Sequence, residues 1–124
     1  MAKKVLVIDD SRTIRLMVGE VLREAGYETA EAADGLEGAE KIQTMRDLAL
    51  VLCDVNMPRM TGLEMLKLVK LHPDNRNLPV VMLTTEGQVN MIEKARAAGA
   101  RGWIVKPVNA DRLLATVRQL AGHA

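Results

Sequence analysis

The sequence predicts a doubly wound α/β domain of (βα)5 type, a five-stranded parallel sheet with helices on both faces. Three observations predict it. Short apolar runs rich in Val and Ile alternate with amphipathic helical patterns, and such runs read as strands buried on both sides of a parallel sheet. The connections are short, with no linker, repeat or low-complexity segment, so right-handed crossovers must place helices on both faces. Four runs also end on polar residues: Val5-Leu6-Val7-Ile8 on Asp9 and Asp10, Leu50-Val51-Leu52-Cys53 on Asp54, Val80-Val81-Met82-Leu83 on Thr84, and Trp103-Ile104-Val105 on Lys106. The expected strand order is 2-1-3-4-5, which sets the ends of strands one and three side by side.

Each element follows from spacing and punctuation. After the first strand, Ile14, Met17, Val18, Val21 and Leu22 keep helical spacing, Asp10 or Ser11 can cap that helix, and Gly26 stops it. Residues 28–32 form a weaker, more polar strand, expected at an edge. Asp34 and Gly35 turn into a helix reaching about Met45. Asn56, Pro58 and Gly62 mark a loop after the third strand, before a helix over 63–71. His72-Pro73-Asp74-Asn75 breaks that helix, and Pro79 opens the fourth strand. Val89, Ile92, Ala95 and Ala98 make a short apolar stripe closed by Gly99. The fifth strand is 103–105, and Asn109 caps a last helix with Leu113, Leu114, Val117, Leu120 and Ala121 on its buried face.

Bulk properties exclude several functions. At 124 residues the chain reads as one domain, 1–124, with no appended output domain. Seventeen basic residues against sixteen acidic ones supply no basic patch for nucleic acid or an anionic membrane. Tyr27 and Trp103 are the whole aromatic complement, so no base-stacking platform is available. The lone Cys53 favours a reducing compartment, and no apolar stretch approaches a membrane span. A cytoplasmic location is expected.

In open parallel sheets a ligand sits outside the carboxyl ends of the strands. Asp9, Asp10 and Asp54 are therefore expected within a few ångström of one another. Carboxylates that close cannot all stay ionised unaided, and a hard divalent cation such as Mg²⁺ removes the conflict. The backbone carbonyl of Asn56 could complete the protein's share of the shell. Alone, Asp9 and Asp10 would serve equally well as helix caps; with Asp54 at the neighbouring strand end, metal binding is the stronger reading. Lys106 supplies a point positive charge for phosphate oxygens, and Thr84 a hydroxyl donor. Lys106-Pro107 is a candidate cis peptide.

At these residues the chain resembles the receiver domain of a bacterial two-component response regulator, in particular the stand-alone, chemotaxis CheY-like type, with its flavodoxin-like fold. The resemblance rests on "VLVIDDSRTIR", "LVLCDVNMPRMTGLEML", "VVMLTTEG" and "GARGWIVKPV" and covers nearly the whole chain. It implies that Asp54 is the phosphoacceptor, a carboxylate nucleophile charged by a sensor histidine kinase. It implies that Asp9, Asp10, Asp54 and the Asn56 carbonyl hold Mg²⁺, with Asp10 the more direct ligand and Asp9 partly bridged by water. Lys106 and Thr84 would bind the acyl phosphate oxygens, and Thr84 with Trp103 would form the moving element. Output would be read on helix 4, strand 5 and helix 5, where Ile92, Trp103, Val108 and Arg112 are candidates. Asn56 and Glu86 occupy the positions that tune self-dephosphorylation. Trp103 stands where Tyr or Phe is usual, Val108 where Phe is frequent, and Thr85 beside the switch threonine is bulkier than the family norm. The implied protein is a monomer and a switch, with no external product. Its output partner is a flagellar motor component or another relay protein.

Two other function classes fit the sequence less well. A haloacid-dehalogenase-like phosphatase also uses an aspartyl phosphate, Mg²⁺, a Thr and a Lys. It needs a second Asp two residues past the nucleophile as general acid, and Asn56 stands there. A flavodoxin-like cofactor carrier needs a Ser/Thr/Gly-rich phosphate cradle and stacking aromatics, and neither is present. A stand-alone receiver in another phosphorelay, or a phosphate sink, stays open as an alternative to chemotaxis. Cys53 is read as a small buried hydrophobe, His72 and His123 as unrelated to metal, and Arg12, Arg15, Arg96 and Arg101 as solvated.

Overall fold

The computed structural model describes residues 2–85 and 89–124, with Val89 in its backbone alone. Its elements alternate as expected: β1 (Lys4–Ile8), α1 (Arg12–Glu24), β2 (Glu28–Ala32), α2 (Gly35–Thr44), β3 (Leu48–Asp54), α3 (Gly62–Lys70), β4 (Val80–Thr84), α4 (Val89–Ala97), β5 (Gly102–Val105) and α5 (Ala110–Ala121). The strands run parallel in the order β2-β1-β3-β4-β5. Strand alternation then sorts the core into two layers. Leu6, Ile8, Val51, Cys53, Val80 and Met82 face Ile42 of α2, Met65 and Leu66 of α3 and Ala95 of α4. Val5, Val7, Leu50, Leu52, Val81 and Leu83 face Val18 and Leu22 of α1 and Leu113 and Val117 of α5. Cys53 is buried in the first layer, as a small hydrophobe.

Helix starts obey local chemistry. Ser11 rather than Asp10 caps α1, accepting from the Ile14 amide at 3.3 Å. Thr61 and Glu64 form a reciprocal capping box on α3, and Asn109 caps α5 as expected. Gly26 takes a φ of 97° just past α1. The predicted break after α3 contains one 3-10 turn (Pro73–Asn75), with His72 as its cap. Lys70 donates to the carbonyls of Asn75, Arg76 and Leu78 at 2.9, 3.2 and 2.6 Å, closing the path into β4. The Lys106-Pro107 bond is cis. Among the described residues no helix is long and apolar enough to cross a membrane.

Two loops on the sheet's carboxyl edge are tied together. Asp34 caps α2 by accepting from the Glu37 amide at 2.9 Å. Its other oxygen takes the Arg59 guanidinium at 2.6 and 2.8 Å, and the Gly35 amide donates to the Met60 carbonyl at 3.2 Å. Arg59 adopts a φ of 65°, a left-handed conformation uncommon for a residue with a side chain. The Asp34 pair thus holds the β3–α3 loop in a shape its backbone alone disfavours. Within that loop, a side chain at Gly62 would strike the Asp54 carbonyl oxygen and the Met82 methyl, so only glycine permits this approach.

The Glu37 amide, aided by Arg59 against the cost of burial, holds the Asp34 carboxyl below its usual range. A depressed carboxylate stabilises fully above its unfolded pKa of about 4, and that share is lost as pH falls through the lower folded value. Asp34→Ala is therefore expected to lower unfolding free energy by about 1–2 kcal/mol at neutral pH. Urea titrations of both proteins should show the gap narrowing below pH ~4.

Candidate phosphoryl and metal site

The site is assembled by register. β1 and β3 pair with Ile8 opposite Cys53, so the next residues, Asp9 and Asp54, emerge side by side. β3 and β4 pair with Asp54 opposite Leu83, and Thr84 lies opposite Val105 of β5. The Lys106 amide donates to the Thr84 carbonyl at 2.7 Å, which brings the lysine stem back over the sheet edge. The Lys106 ammonium then lies 3.0 Å from Asp9 Oδ2 and 3.2 Å from Asp54 Oδ1. Asp9, Asp10 and Asp54 each present an oxygen within 4.8 Å of the others. The structure thus brings Asp9, Asp10, Asp54 and Lys106 together, with Thr84 at the adjoining strand end.

The electrostatics are those of a crowded anionic pocket. Asp9 is fully buried and Asp54 nearly so, whereas Asp10 faces solvent. Burial first, and the Asp9 charge second, push the Asp54 carboxyl up, while Lys106 offsets part of this. Burial pulls the Lys106 ammonium down, but the Asp9 bond and the two carboxylate charges outweigh it and hold it above its ordinary value. One ammonium cannot satisfy three carboxylates. Among the described residues, Asp9 Oδ2 has Lys106 as an ion pair but no donor aligned on it, and the buried Thr84 hydroxyl makes no hydrogen bond. Buried polar atoms left this way are costly. An all-oxygen donor set with surplus negative charge fits a hard divalent cation.

Asn56 is exposed in the β3–α3 loop, and Glu86 falls outside the described residues. Trp103 is 39% exposed on β5, so it is not core. Ile92 and Val108 are half-buried on α4 and beside β5, and Arg112 is exposed on α5.

Arg15, expected to be solvated, is mostly buried, and Arg96 is exposed as expected but stacked on a ring. Arg96 stacks its guanidinium over the Trp103 ring, 4.9 Å from the centroid, because an exposed indole face attracts a cation. Arg15 donates to the Asp9 carbonyl at 2.6 Å and to Glu31 of β2 at 2.9 Å. A signal for Arg15 was present: with Val18 and Leu22 it falls on the buried stripe of α1, where a charged residue needs partners.

A carboxyl whose pKa is raised on folding costs stability once pH passes its unfolded value, and the cost is complete above the folded value. Asp54→Asn is therefore expected to raise the melting temperature in metal-free buffer at neutral pH. Differential scanning calorimetry would show the opposite, a lower melting temperature, if the carboxylates did not repel.

Comparison with known proteins agrees with this geometry. The family model for the response regulator receiver domain matches residues 5–118. Chemotaxis protein CheY1 of Helicobacter pylori is 39% identical, over 84% of this chain and 85% of its own. Sporulation initiation phosphotransferase F of Bacillus subtilis is 34% identical, over 96% of this chain and 94% of its own. The solved structure of chemotaxis protein CheY4 of Vibrio cholerae superposes with a TM-score of 0.90 at 43% identity, covering 97% of this chain and 99% of that one. The five-stranded sheet, its strand order and these matches carry one conclusion: the chain belongs to the response regulator receiver domain family, whose general function is a phosphorylation switch.

Proposed function

We propose that the chain is a phosphorylation-activated signalling switch in which Asp54 accepts a phosphoryl group. The observation that carries this reading is the Lys106 ammonium lying between Asp9 and Asp54, together with a buried Thr84 hydroxyl that makes no hydrogen bond among the described residues. An Asp54 carboxylate oxygen attacks the phosphorus of the donor, forming the acyl phosphate. The bond to the donor's leaving group breaks, and that group departs with the electron pair. Lys106 gives up its Asp54 contact to pair with the incoming phosphoryl oxygens, keeping Asp9. Thr84 donates its hydroxyl to a phosphoryl oxygen, which ends its orphaned state. Asp9, Asp10, Asp54 and the Asn56 carbonyl would hold Mg²⁺, which supplies charge neutralisation at the phosphoryl oxygens.

Output passes through the surface of α4, β5 and α5. Trp103 lies three residues before Lys106 on β5, so movement at Thr84 and Lys106 has a short path to it. Ile92, Val108 and Arg112 flank that surface, and Asn56 with Glu86 would tune hydrolysis of the acyl phosphate. The phosphodonor is a histidine kinase, and the target a protein. Chemotaxis is the favoured setting, since the Helicobacter and Vibrio relatives carry chemotaxis names. A separate phosphorelay is the alternative, represented by the sporulation phosphotransferase.

Trp103 is the only tryptophan, so its fluorescence has one source. Mg²⁺ is expected to change it, and acetyl phosphate to change it again, with the second change absent in Asp54→Ala. Lys106→Ala is expected to keep Mg²⁺ binding and labelling but to lose the second change. No response of the parent protein to Mg²⁺ by fluorescence or calorimetry would overturn the reading.

A further inference from the structure

We infer that Arg15 is a positioning residue for the acidic site, fixing how the β1–α1 corner presents Asp9 and Asp10 to a divalent cation. This rests on the metal site proposed above. Besides its Lys106 ion pair, Asp9 is held by three hydrogen bonds. Its amide donates to the Ala32 carbonyl at 3.1 Å, its Oδ1 accepts from the Ser11 amide at 2.9 Å, and its carbonyl accepts from Arg15 Nη1 at 2.6 Å. The last bond has its acceptor in the peptide that joins Asp9 to Asp10. That peptide's orientation decides where the Asp10 carboxylate goes, and Asp10 is exposed, with no hydrogen bond of its own among the described residues to hold it.

Arg15 is itself built in. Its side chain is 15% exposed, and its Nε donates to Glu31 Oε1 at 2.9 Å. Glu31 lies on edge strand β2, and its carbonyl accepts from Lys41 of α2, whose ammonium also lies 3.4 Å from Glu37. The fork geometry of a guanidinium lets one side chain serve a carboxylate and a carbonyl at once. A chain of contacts therefore runs from α2 through β2 and Arg15 to the peptide between the two aspartates. Groups that orient metal ligands in this way commonly control affinity by tenfold or more.

The sign of the effect separates positioning from simple charge. A guanidinium this near the site repels a cation, so as a bystander its removal would tighten Mg²⁺ binding. As a positioning residue its removal loosens it. Calorimetric Mg²⁺ titration of the full chain is the test, with Arg15→Met and Arg15→Lys alongside the parent. Arg15→Met is expected to raise the Mg²⁺ dissociation constant about tenfold. Arg15→Lys, which keeps the charge but loses the fork, is expected to fall between. Labelling by acetyl phosphate should need correspondingly more Mg²⁺ for half-saturation, with the maximal rate changed less than about twofold. Unchanged or tighter binding in folded Arg15→Met overturns the inference. If that variant does not fold, parent-like affinity in Arg15→Lys overturns it instead. A parent that binds no Mg²⁺ overturns the metal site as well, whereas a binding parent with indifferent variants removes this inference alone.

Discussion

The structure depends on one electrostatic constraint: Asp9 and Asp54 emerge from neighbouring strands into a buried pocket, and the ammonium of Lys106 lies between them. Two carboxylates in low dielectric repel strongly, and burial raises the cost of either charge. Lys106 makes the arrangement tolerable without neutralising it, since Asp10 adds a third carboxylate to the same cluster. On the proposed reading, the leftover negative charge is the functional feature. It fits a divalent cation, and it leaves Asp54 as a carboxylate whose ammonium partner can turn to a phosphoryl group. A fully satisfied pocket would be more stable and would have less reason to change.

The scaffold keeps this site from relaxing. Residues on either side of it are wholly buried in both core layers, from Val5 to Ile8 in β1 and from Leu50 to Cys53 in β3. The loops above the sheet edge are stitched together by side chains. Arg59 reaches Asp34 across two loops, Gly62 lies against the Asp54 carbonyl, and Arg15 grips the peptide after Asp9. The Gly62 and Arg15 contacts act on backbone, so the carboxylates inherit fixed starting points. By contrast Thr84 has a buried hydroxyl with no hydrogen bond among the described residues, and the exposed Trp103 carries an arginine stacked on its ring. A rigid acceptor beside a loosely committed strand end is a fitting arrangement for a switch.

Much of this was legible residue by residue. The runs ending on Asp9, Asp54, Thr84 and Lys106 carried both the strands and the edge on which their ends converge, because parallel strands must all end on the same side. Asp34, Asn109 and Gly26 marked helix ends through short-range backbone chemistry that needs no partner elsewhere in the chain. Arg15 reads as solvated from the sequence but is mostly buried, because its partners lie outside its own helix. Glu31 is sixteen residues from Arg15, and no local pattern pairs them.

The sequence by itself determined the alternation of elements, the doubly wound sheet and the set of polar residues at its carboxyl edge. These follow from hydrophobic periodicity and handed crossovers, which are local properties of the chain. Only the tertiary structure decided which carboxylate is buried and which exposed, and that one ammonium lies within 3.2 Å of both Asp9 and Asp54. Only it decided that Arg15 and Arg59 serve the loops of the site. Those outcomes depend on strand register and on side chains meeting across distant segments, where a shift of one residue would exchange inside for outside.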